Sequence, residues 1–214
     1  MALALHHNAS AAGADELREE IVGAGGRAAC FAADLTDAKA ALGLPGRVVR
    51  ELGSLDVLVN SAAVMHRLGF EDTTPAHWDS IVNLNLRSVF FCTQGAATAL
   101  RAARGKVVNM ADLSGIEPWS GFAVHSISKA GVVMLTKVLA RSLAPEVTVN
   151  AIAPGAVLVP DEYDVEERER LVRTTPLRRL GGPSDAISAL LYLLEGGDYV
   201  TGEVLVVDGG RHLK

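Results

Sequence analysis

A chain of 214 residues fits one large α/β domain and is short for two. Its 49% hydrophobic and 21% charged residues suit a globular domain with a sizeable core and exclude a disordered chain. A net charge of −5 without a long basic run excludes a nucleic-acid footprint and suits a protein that binds a small molecule.

The predicted elements alternate from the first residues onward. Residues 2–6 form a short apolar run of strand character. The run starting at Met1 is too short for a signal-peptide core and has no basic residue before it. His6 and His7 are neighbours on a strand, so they point to opposite faces and do not form a ligand pair. Asn8-Ala9-Ser10 matches the glycosylation acceptor pattern, a match short enough to arise by chance. Residues 14–22 carry helical spacing and stop at Gly23-Ala-Gly-Gly26. That cluster reads as a helix stop, because no strand precedes it and no helix follows, as a phosphate loop requires. Arg27–Ala32 is then a strand, Asp34 and Leu35 open a loop, and Ala38–Leu52 is a helix despite Gly43 and Pro45.

Residues 55–60, LDVLVN, form an almost purely apolar strand, the mark of a parallel strand covered on both faces. Residues 75–102 read as one long helix with Pro75 in its first turn. Lys106–Met110 is another buried strand. Residues 120–143 form a second long helix, ended by Pro145. Residues 147–152 are a strand, broken at Pro154-Gly155. Helices at 165–173 and 184–194 flank Gly181-Gly182-Pro183, and Val204–Val207 is the last strand. This alternation predicts βαβ units with right-handed crossovers and a parallel sheet between helix layers. Ligands of such sheets bind at the carboxyl ends of the strands, which points to Asp34, residues 60–63, 111–112 and 154–157. Cys30 and Cys92 lie in apolar runs and read as buried free thiols. No Cys or His pair has metal-ligand spacing, so no metal is expected. No apolar stretch reaches about 18 residues, so no membrane span is expected, and a cytoplasmic, reducing setting is the default.

Six motifs then stand in order: ADL at 33–35, LDVLVNSAA at 55–63, NLRSVF at 85–90, HSISKAG at 125–131, VNAIAPG at 149–155 and VTGEVLVVDGG at 200–210. Together they cover nearly the whole chain and resemble the short-chain dehydrogenase/reductase family. The aspartate at 112, thirteen residues before the position of the family's catalytic tyrosine, resembles the pteridine-reductase-like branch, where most relatives have serine.

The resemblance implies an α/β Rossmann-like domain over residues 1–214 and roles for particular residues. Asp34 and Leu35 would flank an adenine ring. Asn60, Ser61, Ala62 and Ala63 would let the backbone approach the adenosine ribose. Asn85 would position a water in a proton relay. Lys129 would bind the nicotinamide ribose and tune the proton donor, and Pro154, Gly155 and Val157 would line the nicotinamide site. The small residues also fit a plain reading as tight turn packing. Lys129, on an otherwise apolar helix, needs a partner for its charge.

Three departures stand out. The family's first strand, glycine-rich turn and helix would precede residue 2, and this sequence has no such turn. On that reading the chain is incomplete at its N-terminus. The strands starting near residues 2 and 55 must then pair directly or leave backbone groups unpaired, and NADPH should bind poorly. The tyrosine position is His125, one helical turn before Lys129. His125 with Asp112 reads either as a general acid for reducing a C=O or C=N bond or as the mark of a lost activity. Val159 stands where a threonine often meets the nicotinamide carboxamide.

No acidic residue follows the first strand, while His7 and Ser10 are available to a 2′-phosphate. This favours NADP over NAD, unless the segment is an ordinary polar strand end. Trp119 and Phe122 read either as an aromatic wall for a flat substrate or as packing. Tyr163 and residues 161–173 are expected to cap the pocket. The helices at 75–102 and 120–144 resemble the family's pairing helices, so a homodimer or homotetramer is expected. The leading function is an NADP-linked reductase of a small molecule. The alternative is a noncatalytic binding or regulatory member, or a nonfunctional remnant.

Overall fold

The structure, a computed structural model, describes residues 1–213 except 158 and 160–162. Its elements are β1 (Ala2–His7), α1 (Ala11–Gly23), β2 (Arg27–Ala32), α2 (Ala38–Leu52), β3 (Val57–Asn60) and α3 (Pro75–Val82). A π-helical turn (Asn83–Arg87) leads into α4 (Ser88–Ala103), followed by β4 (Lys106–Met110) and a 3-10 turn (Leu113–Gly115). Then come α5 (Ala123–Leu143), β5 (Thr148–Pro154), α6 (Val165–Thr174), α7 (Pro183–Glu195) and β6 (Val204–Val207).

Every strand pair is parallel, as the apolar strand runs predicted. The single sheet expected from the alternation is corrected: among the described residues β1 pairs only with β2, and β3-β4-β5-β6 form a separate sheet. Direct pairing of β1 with β3 therefore does not occur, and among the described residues the outer edges of the two strands have no ladder partner. Helices cover both faces of the larger sheet, and the two-residue period of β4 shows it. Val107 packs with Ala96 and Leu100 of α4 and Ala140 and Leu143 of α5. Its neighbour Val108 packs with Ala189 and Leu193 of α7 on the opposite face.

The two sheets are joined through helices. Phe31 of β2 packs with Ala41, Leu44 and Val48 of α2, and that cluster continues to Cys92 of α4. A Cβ on Gly95 would lie 2.1 Å from the Leu42 carbonyl oxygen, so α2 and α4 touch backbone to backbone there. Cys92 is buried, and burial pushes its thiol up to about 11. Cys30 departs from expectation. It lies on the α1 side of β2, where α1 has no buried residue, and is only half-buried, with its Sγ 3.3 Å from Ala14 O.

The long helix expected over 75–102 is helical throughout but is interrupted by the π turn at 83–87. Thr74 starts it by accepting from His77 N while the His77 ring accepts from Thr74 N, a reciprocal cap. Helix α5 is long and apolar enough to cross a membrane by composition alone. It is nevertheless a core helix here, with Val132, Thr136 and Ala140 buried.

Candidate active site

The carboxyl ends of β3 and β4, the π turn and the start of α5 converge on four polar residues. Asn85, His125 and Lys129 are 1%, 4% and 5% exposed, and such groups are rarely buried without partners. Asp112, just after β4, is part-buried beside them.

Lys129 Nζ donates to Met110 O, the last carbonyl of β4, at 2.7 Å. Burial pushes the lysine below its ordinary value, and the Asp112 carboxylate acts in the opposite sense. Asp112 caps the 3-10 turn by accepting from Ser114 N at 2.7 Å, which fixes its carboxylate. Oδ1 of that carboxylate lies 3.9 Å from His125 Nε2. Burial also pushes the His125 imidazole below its ordinary value near 6.5; Asp112 favours the cation and Lys129 disfavours it.

Asn85 occupies the π turn, where the extra residue aims its side chain at the loop after β3. Its Oδ1 accepts from Val64 N at 2.8 Å, and its Nδ2 donates to Val64 O at 2.9 Å and to Ser128 Oγ at 3.1 Å. His125 Nδ1 lies 3.2 Å from Val64 O. His125 Nε2, Ser114 Oγ and Ser126 Oγ are buried without hydrogen-bond partners among the described residues.

Other expected positions divide into those at the strand ends and those turned inward. Leu35 is 7% exposed and belongs to the Phe31 core cluster. Asn60 is turned inward too. Its Nδ2 donates to Thr93 Oγ1 at 3.1 Å and Asn109 Oδ1 at 2.9 Å, and Asn109 continues to Thr136 Oγ1 at 2.9 Å. Ala62 packs against the Phe31 cluster, while Ser61 and Ala63 are exposed. Asp34 is exposed, and its carboxyl is held below its ordinary value by the hydroxyl and backbone N–H of Thr36.

His7 is half-buried with an unpartnered Nδ1, and Ser10 is exposed at the start of α1 with no side-chain cap bond. Pro154, the last residue of β5, and Gly155 and Val157 just after it are part-buried. A Cβ on Gly155 would sit 2.6 Å from Asp208 Cβ, so this strand end admits no side chain. Trp119 and Phe122 meet edge-on with centroids 6.1 Å apart. Phe122 also bridges Leu68 in the loop after β3, which favours the packing reading. Within the expected cap, Asp161 and Glu162 lie outside the described residues, and Tyr163 O accepts from Arg168 Nε at 3.0 Å.

The sequence profile of the enoyl-(acyl carrier protein) reductase family matches residues 1–212. The 3-oxoacyl-[acyl-carrier-protein] reductase FabG of Staphylococcus aureus is 32% identical over 216 residues, covering 99% of this chain and 88% of its own. The Thermotoga maritima FabG is 32% identical over 201 residues, covering 92% of this chain and 82% of its own. A dehydrogenase/reductase structure from Sinorhizobium meliloti superposes with a TM-score of 0.90 at 34% identity, covering 98% of this chain and 84% of that one. A Serratia marcescens short-chain dehydrogenase/reductase gives a TM-score of 0.90 at 32% identity. The chain belongs to the short-chain dehydrogenase/reductase family. It is an NAD(P)-dependent oxidoreductase with a small-molecule substrate.

The residues of this short-chain dehydrogenase/reductase fit such a cofactor at one end only. The orphaned Nε2 of His125 and the anchored ammonium of Lys129 suit the nicotinamide end. No turn from a strand to an α-helix among the described residues carries the clustered glycines that cradle a pyrophosphate.

Several residues that shape the site escaped the sequence reading. Val64 contributes only its backbone, and Ser128 acts as an anchor for Asn85; neither residue type signals such a role. Gly115 had a usable signal, a glycine three residues after Asp112. A Cβ there would lie 2.7 Å from the backbone carbon of Lys129, so only glycine lets the 3-10 turn rest on α5.

Proposed function

We propose that this chain reduces a C=O or C=N bond of a small molecule with NADPH, with His125 in the place of the family's tyrosine as proton donor. The carrying observation is the cluster of buried Asn85, His125 and Lys129 with part-buried Asp112, in which one ring nitrogen of His125 has no hydrogen bond among the described residues. The bound cofactor supplies the hydride. Lys129 would hold the nicotinamide ribose, and Asp112 would compensate the charge that His125 carries before it gives up its proton. His125 would give its Nε2 proton to the oxygen or nitrogen of the bond being reduced, leaving an alcohol or amine.

Pro154, Gly155 and Val157 read as the nicotinamide rim. Ser61, Ala62 and Ala63 read as the ribose rim, with Asp34 and Leu35 at the adenine end. His7 and Ser10 read as donors to a 2′-phosphate, the basis for NADP over NAD. Asp112, thirteen residues before His125, supports the pteridine-reductase-like branch. The edges of β1 and β3, without a ladder partner among the described residues, support a further parallel strand between them, the place the family gives to its glycine-turn strand. We read residues 1–214 as part of one domain in a reducing, cytoplasmic setting, to which the two free thiols are suited.

The test is NADPH consumption by the purified protein with a 3-oxoacyl thioester or a dihydropteridine at saturating cofactor. Alcohol or amine product matching the NADPH consumed is expected. Absence of turnover with every carbonyl and imine offered counts against it. A second reading, a noncatalytic binding member, is favoured by the absence of a glycine-rich strand-to-helix turn among the described residues. Retained ligand binding without turnover supports that reading.

Oligomerisation is proposed through α4 and α5. Phe90, Met134 and Val138 are 42%, 59% and 50% exposed there, alongside Leu86 and Leu135. A dimer or tetramer mass by light scattering is expected, falling to a monomer in a Met134→Asp/Val138→Asp double variant. A monomer mass at every concentration of the unaltered chain contradicts it.

A further inference from the structure

We propose that Asn85 and the Val64 carbonyl lock His125 in its Nδ1–H form, leaving Nε2 as the ring nitrogen that takes and gives the proton. Each polar atom here has a nearest partner, and the hydrogens available fix which bonds form. Asn85 Nδ2 carries two hydrogens and has three neighbours: Val64 O at 2.9 Å, Ser128 Oγ at 3.1 Å and His125 Nδ1 at 3.3 Å. The two nearest take both hydrogens. Ser128 is free to accept, because its own hydroxyl donates to His125 O at 2.7 Å. Nδ1 then receives nothing from Asn85, and the acceptor it faces is Val64 O at 3.2 Å. A carbonyl can only accept, so Nδ1 must carry the hydrogen.

The opposite tautomer would set the bare lone pair of Nδ1 against that carbonyl, and its Nε2–H would have only Asp112 Oδ1, at 3.9 Å beyond hydrogen-bond distance, to face. The Val64 carbonyl stays in place because Asn85 grips both polar groups of that residue, its N–H through Oδ1 and its C=O through Nδ2. Asn85 is therefore a positioning residue for His125, and its side chain has no hydrogen left for a water. The neutral ring presents Nε2 as a base, 3.9 Å from Asp112 Oδ1. Protonation there gives an imidazolium facing that carboxylate. Asp112 and Lys129 are the charged groups that act on the ring. In the reductive direction the Nε2 proton passes to the substrate; in the oxidative direction Nε2 takes it back.

The lock rests on the reading of His125 as the proton-exchanging group, but its test needs neither cofactor nor substrate. Long-range proton–nitrogen NMR of the labelled chain, above the ordinary imidazole range of about 6.5, reads each ring nitrogen directly. The expected result is a protonated, pyrrole-like Nδ1 and a pyridine-like Nε2. A pyridine-like Nδ1 would falsify the proposal. Asn85→Ala should give a mixture of the two forms, and an unchanged spectrum removes Asn85 from the lock. Asn85→Asp keeps the shape of the side chain and covers the case in which Asn85→Ala does not fold. Its added carboxylate should keep the hydrogen on Nδ1 and raise the pH at which Nε2 protonates; a fall in that pH contradicts the account. A locked ring in a protein whose hydride transfer ignores His125→Ala would sink the functional reading while leaving the lock standing.

Discussion

Replacing His125 with alanine is expected to slow hydride transfer about a hundredfold or more, the scale of a lost acid–base group. The substitution removes the unpartnered Nε2 from a pocket where Asn85, Asp112 and Lys129 are otherwise held by backbone groups. The measurement is a single-turnover rate at saturating NADPH. An unchanged rate removes His125 from the chemistry. The pH profile of the unaltered enzyme carries a second signature. Burial and Lys129 lower the His125 pKa from 6.5 and Asp112 raises it, with burial the largest influence. The folded ring thus loses its proton below the ordinary imidazole pH. Reduction, which needs the imidazolium, should be fastest in acid and fall about tenfold per pH unit above that midpoint. Alcohol oxidation, which needs the bare Nε2, should reach its plateau by neutral pH. The opposite ordering of the two directions contradicts the assignment.

The largest stability effect is expected at Gly95. The β1–β2 unit is not hydrogen-bonded to the other sheet, so the packing of α2 on α4 does much of the joining. Alanine at 95 puts a Cβ 2.1 Å from Leu42 O, a backbone atom that cannot swing aside. The helices must separate, and a net loss of about 2 kcal/mol or more follows, even after alanine's helix preference is counted. For a chain of this size that lowers Tm by roughly 4–8 °C. Gly13 in α1 is the control, because nothing lies within 4 Å of its Cβ position. Gly13→Ala should stabilise by about 0.5–1 kcal/mol. Equal effects at the two positions would show that the α2–α4 contact is not what makes Gly95 necessary.

The alternation of elements was legible because buried parallel strands leave unbroken apolar runs such as VLV in β3 and VV in β4, and their helices carry the spacing of a packed face. The break between β1 and β3 was legible only as a choice between two outcomes, since ladder pairing depends on which strands lie side by side. The π turn was not legible. Residues 83–87 keep helical composition, and the extra residue is set by the bonds of Asn85 to Val64 and Ser128. At the site, Asp112 could be found because it follows a buried strand and Lys129 because a charge on an apolar helix needs a partner, whereas His125 was legible only through the family resemblance, as the residue at the tyrosine position. The inward turn of Asn60 could not, because an asparagine at a strand end gives no sign of whether it faces a ligand or an Asn109–Thr136 ladder.

The central claim is that NADPH meets the chain at the strand ends around Asp112, His125 and Lys129. NMR mapping of an NADPH titration, carried to millimolar cofactor, tests it most directly. The account predicts the largest shifts at residues 60–63, 111–112 and 154–157 and at the His125 ring nitrogens. Shifts confined to other surfaces, with those positions silent, would contradict it.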